Sequence, residues 1–176
     1  MPLDLVSQPK RTSYAEIMLA VQARLVTVTG LPLVRVKLLA SRAQMPYLQA
    51  EQMLFVRPGR WISPRLQRDG EGRVAARVYR YMNILVVDRT ALDSVDDDEI
   101  ILTSSTYGII PLEELVLDAL DQYWPEDSDG NVLTFEPMRM IAGQEEKKNA
   151  SKPFWADAMH TFEIGHLPPY TNPLTT

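Results

Sequence analysis

The sequence predicts an α+β fold: a mainly antiparallel β-sheet flanked by two helices, with an extended loop or hairpin arm. Three observations carry this expectation. Two segments repeat apolar residues at helical spacing between clear start and stop signals. Five others read as strands, by alternation or by short apolar runs bounded by turn residues. Their order, α-β-β-β-α-β-β, is that of an α+β domain, and 176 residues at 45% hydrophobic content can bury one sizeable core. The expected organisation is an N-terminal extension (1–12), one domain (13–166) and a C-terminal tail (167–176).

The first helix is expected over roughly residues 13 to 28. Ser13-Tyr-Ala-Glu16 spells a capping box, in which a hydroxyl and a carboxylate each satisfy an orphan backbone N–H. Ile17, Val21, Leu25 and Val28 form the buried stripe. Gly30 supplies the stop and Pro32 prevents continuation.

Leu33 to Leu39 alternates like a half-buried strand, and a second short strand runs from Met53 to Arg57 until Pro58-Gly59 breaks it. Residues 59 to 72 show little periodicity and are expected to be a long loop or a hairpin arm, a kind of segment that is usually functional. The longest strand follows, RVAARVYRYMNILVVD. Arg73, Arg77, Tyr79, Tyr81 and Asn83 on one face of its first half are expected to meet water or a partner. From Ile84 to Val87 both faces are apolar, so that end should be covered on both sides.

Pro111 is expected to open the second helix, with Leu112, Leu115, Val116, Ala119 and Tyr123 inward and Glu113, Glu114, Asp118 and Asp121 outward. Two last strands, Val132 to Ile141 and Trp155 to Ile164, should flank a polar loop, GQEEKKNASKP.

The net charge of −5 conceals a segregation along the chain. Arg57, Arg60, Arg65, Arg68, Arg73, Arg77 and Arg80 face only Asp69 and Glu71 in their segment, whereas Asp93 to Glu146 holds fifteen acidic residues and one base, Arg139. Opposite patches on one chain suit head-to-tail stacking of copies. A plain nucleic-acid binder is more often basic overall.

Motifs for chemistry are sparse. Without cysteine there are no disulfides and no thiolate ligands or nucleophiles. Asp93, Asp96, Asp97, Asp98 and Glu99 lack the alternating ligands and central glycine of a calcium loop, so a solvated or partner-facing patch is expected there. His160 and His166 would lie about 20 Å apart on a continuous strand, too far to share a metal, and His160 is expected in the core or an interface. The serines and threonines of TSST (103–106) lack a nucleophile elbow, and no phosphate loop is present. No catalytic residue, cofactor or metal is therefore assigned. No apolar run suits a signal peptide or a membrane span, which predicts a soluble, unexported protein.

The arginine segment admits base stacking with Trp61, Tyr79 and Tyr81 around held phosphates, but arginine is equally suited to pairing carboxylates across a protein interface. The matching acidic block favours contact between subunits. The basic side is then Arg57, Arg60, Arg65, Arg68, Arg73, Arg77 and Arg80, and the acidic side Asp93, Asp96, Asp97, Asp98 and Glu99.

Four features together resemble the tail terminator, or tail completion, proteins of tailed bacteriophages and prophages. They are a helix ending in TGLPLVRV, an arginine-rich approach to a long strand, the passage RYMNILVVDRTALDSVDDDE, and LEELVLDALDQYWPED. With VLTFEPMRMIAG and WADAMHTFEI the likeness spans roughly residues 13 to 165. It implies a virion subunit, assembled in the host cytoplasm, that forms a ring, usually a hexamer. Such a ring caps the tail tube protein, stops tail polymerisation and joins the neck or connector, while genomic DNA passes through the lumen without specific binding. The resemblance implies no enzyme, no cofactor and no membrane. The first dozen residues, the 59–72 loop and the tail after Leu167 depart from the family's usual length. The alternatives are a head-to-tail connector nearer the portal, and a nucleic-acid-binding module using Arg57 to Arg80.

Overall fold

In the computed structural model, residues 10–39, 52–61, 65–68, 74–88, 109–148 and 156–169 are described. Helix α1 (Tyr14–Thr29) begins at the capping box the sequence spells. The Ser13 hydroxyl accepts the Glu16 N–H at 3.3 Å, and the Glu16 carboxylate accepts the Ser13 N–H at 2.7 Å. The Thr12 hydroxyl donates to the same carboxylate, and these donors hold Glu16 below its ordinary pKa. Ile17, Val21 and Leu25 are fully buried, and Gly30, with φ of 69°, ends the helix by donating to the Val26 carbonyl.

The strand expected from Leu33 is shorter than its alternation suggests. Pro32 accepts the Arg35 N–H, which winds Leu33–Arg35 into a 3-10 turn with Leu33 and Val34 61% and 63% exposed. Strand β1 (Val36–Leu38) then pairs parallel with β2 (Gln52–Trp61).

Strand β2 passes through Pro58-Gly59 instead of stopping there. Its register against β4 (Val74–Asp88) slips between Pro58↔Met82 and Trp61↔Arg80, so the proline and glycine sit in a bulge that tolerates the missing donor. Gly59 is required: a Cβ would collide with the Tyr81 carbonyl. Strand β3 (Arg65–Arg68) pairs antiparallel with Val74–Arg77 of β4. Of the two forms allowed for residues 59–72, the hairpin arm is the one adopted by its described part.

Helix α2 (Ile109–Leu120) starts two residues before Pro111, which occupies the first turn, where no N–H is needed. Its inward stripe is Leu112, Val116, Ala119 and Leu120. Two assignments are reversed: Leu115, expected inside, is 41% exposed, and Glu113, expected outside, is buried. The helix presents Glu113 to the sheet beneath, a tertiary demand that helical spacing alone does not reveal.

Strand β5 runs from Arg139 to Lys148, so most of the expected polar loop is strand. Residues 132 to 138 are instead extended stitching: Leu133 donates to the Pro125 carbonyl, Phe135 to Gly165 and Met138 to Tyr123. Strand β6 (Ala156–His166) outruns its expected end at Ile164 by two residues and pairs with β4 without a break, from Asp88↔Ala156 to Val78↔His166.

The sheet order is β1-β2-β4-β6-β5, antiparallel except for β1 with β2, with β3 extending β4. Both helices cover one face, over Leu54, Val56, Met82, Ile84, Val86, Phe162 and Ile164. On the other face Leu39, Met53, Phe55, Leu85 and Val87 form a second buried cluster, as the two-sided apolar end of β4 requires. Tyr79 does not face water as expected. It is buried edge-on against Phe135, and its hydroxyl donates to Glu136 at 3.1 Å.

Candidate interaction arm

The arm grows from the centre of the sheet. Strand β6 ends opposite Val78, so Val74–Arg77 pair with β3 on one side and with no other described strand. A two-stranded ribbon of this kind is marginally stable alone. Register sets Arg65 opposite Arg77, Gln67 opposite Ala75 and Arg68 opposite Val74. Residues directly opposite across an antiparallel ladder share a face, and like charges there repel. The register thus sets two arginines, Arg65 and Arg77, opposite each other in the ribbon.

The seven arginines divide into groups. Arg60 is exposed near the base of the arm. Arg65, Arg68 and Arg77 lie in the β3–β4 ribbon. Arg57, opposite Asn83, and Arg80, opposite Trp61 and Ile164, are half-buried in the body. Arg73 lies outside the described residues, as do Asp93, Asp96, Asp97, Asp98 and Glu99.

Arg80 has a structural setting. Its guanidinium carbon lies 4.7 Å from the centroid of the Tyr14 ring, and the Tyr14 hydroxyl donates to the Tyr81 carbonyl at 2.8 Å. The same ring sits 6.2 Å from that of His166, whose Nδ1 meets the Thr12 carbonyl at 3.2 Å. Nδ1 therefore carries the proton. Burial pushes the His166 pKa down, and the nearby Arg80 charge pushes in the same direction. This cluster, with the Thr12 N–H bonded to the Leu167 carbonyl, fastens the chain on either side of the domain at the foot of the arm.

His160 occupies the core position expected of it, but its partner was missed. Its Nε2 meets Glu113 of α2, across from Gly143 of β5, where a Cβ would stand 3.3 Å from the ring. The legible signal was the histidine itself: a polar ring on an apolar strand face asks for a partner on the covering helix. His160 and His166 thus have separate partners on one strand.

The outer face of α2 is acidic. Glu114, Asp118 and Asp121 are exposed around Leu115. Asp121 accepts the Met140 N–H, whereas Glu114 and Asp118 have no hydrogen bond or ion pair among the described residues. No group of three or more potential metal ligands gathers among the described residues, and no described helix is long and apolar enough to cross a membrane.

No family model matches the chain, and no curated protein matches it. Among solved structures, the fold is similar to a chain in the virion of the native gene transfer agent (GTA) particle. The likeness has a TM-score of 0.50 at 16% identity and covers 88% of this chain and 99% of that one. At that identity it is a likeness of fold, extending over nearly the whole of the neighbour.

Proposed function

We propose that this chain is a structural virion subunit that assembles into a ring, hexameric by its family resemblance. The ring caps a phage tail tube, ends tail polymerisation and joins the tail to the neck or connector. The observation that carries this reading is the hairpin arm, which takes Arg65 and Arg77 past the end of β6 with no second described strand beside them. Such an arm serves contact between molecules, and a ring needs a contact in which one patch meets a different patch on the next copy. The fold likeness to a chain of a virion particle supports the setting. In this reading the arginines meet protein carboxylates, DNA passes through the lumen without specific binding, and the subunit needs neither catalysis nor cofactor.

Light scattering with negative-stain imaging of the purified protein tests the proposal, alone and with tail tubes. Rings of uniform subunit number that bind tube ends are expected. A protein that stays monomeric and ignores tubes would overturn it.

A further inference from the structure

Resting on that ring reading, we infer that the arm of one copy docks on the outer face of α2 of the next, with Arg65 and Arg77 meeting Glu114 and Asp118 around Leu115. Glu114 and Asp118 stand one helical turn apart on an exposed face and have no partner among the described residues. Between them Leu115 is 41% exposed. An apolar centre with a carboxylate rim fits arginine in particular, because its stem covers apolar surface while its planar fork pairs with carboxylate.

The contact has to be made in trans. Glu113, next to Glu114, meets His160, which lies opposite Ile84 of β4. Arg77 is seven positions further along that strand, about 23 Å away at a rise of ~3.3 Å per residue. The end of α2 nearest the arm is closer but still remote: Asp121 binds Met140, which is in register through Phe162 with Met82. That leaves about 16 Å along the strand, beyond the reach of an arginine side chain. A second copy brings the two patches together, and the head-to-tail sense of the contact is the one that closes a ring.

The test uses full-length chains with two paired reversals, E114K/D118K and R65E/R77E, each checked for native circular dichroism. Glu114 and Asp118 are exposed, so folding should survive their reversal. Each variant alone should need at least about tenfold more protein to form rings than the unaltered chain, because like charges now meet. Mixed in equal amounts, the two should form rings again, each interface pairing an unaltered patch with its complement or a reversed patch with a reversed one. Normal rings from E114K/D118K alone would overturn this inference and leave the ring reading standing. So would loss of rings on reversing Asp93 and Asp96–Glu99 while E114K/D118K assembles normally. Failure of the unaltered chain to form rings would overturn the ring reading and this inference with it.

Discussion

The Nε2 of His160 lies 2.5 Å from Oε1 of Glu113, with the two side chains 7% and 10% exposed. Strand β6 and helix α2 are joined through this pair across the covered face of the sheet. Removing one partner of a buried polar contact costs about 1–3 kcal/mol, because the other loses a hydrogen bond that water cannot replace. His160→Leu should therefore lower unfolding free energy by about 1–3 kcal/mol in urea titrations. The double variant Glu113→Leu/His160→Leu should recover much of the loss. Additive losses in the cycle would show that the two residues are not coupled.

Gly59 bears on the arm's root. A methyl group there meets the Tyr81 carbonyl, so Gly59→Ala must push β2 away from β4 at the bulge. A cost of about 1–3 kcal/mol is expected, of the size that overpacking imposes. Faster amide exchange should be confined to residues near the bulge. An unchanged melting temperature would mean that the strands do not approach as closely as described.

His166 sets a pH dependence. Its pKa is lower in the folded chain than in the unfolded one, so the unfolded state binds the proton more readily. Above the unfolded value of about 6.5 the residue contributes no slope. As pH falls below that value stability is lost, and the loss continues until pH passes the folded pKa. His166→Leu should flatten this part of the stability profile, measured by thermal melts from pH 7.5 downward. A profile as steep as that of the unaltered chain would assign the slope to other groups.

Salt should act on assembly before it acts on folding. Exposed charge pairs are screened within about 10 Å at 0.1 M ionic strength, whereas the core is indifferent to it. Raising sodium chloride should shift ring formation to higher protein concentration, and Arg73→Glu with Arg77→Glu should do the same at low salt. Rings insensitive to both would exclude charge pairing as the holding force. A monomer binding duplex DNA with a steep salt slope would point to nucleic-acid recognition instead.

How much was legible in the chain depended on whether the signal was local. The box at Ser13 and Glu16 and the stop at Gly30 are decided within a few residues, and α1 follows them within one position at either end. The apolar run from Ile84 to Val87 likewise announced burial on both faces. Helical spacing placed Glu113 outside because it carries no information about His160, 47 residues away in the chain. Strand β5 was hidden by its own irregularity: register shifts between Met140 and Ala142 and between Gln144 and Lys147 disrupt the alternation by which a strand is read. Pro58 looked like a terminator because a bulge cannot be seen until the partner strand is known. Of the residues assigned to the basic and acidic sides of the contact, only the arginines other than Arg73 fall within the described residues.

The bond from the Thr12 N–H to the Leu167 carbonyl has a practical side. Strand β6 ends at His166 opposite Val78, immediately before the arm leaves the sheet. A label attached just upstream of Thr12 or just downstream of Leu167 would therefore start beside the arm's root, wherever it then extended. Fluorophores at these two positions would sense a neighbour's arrival there. A bulky fusion at the same positions would compete for that space, and a label on the opposite end of the sheet, near Gln52, would leave it open.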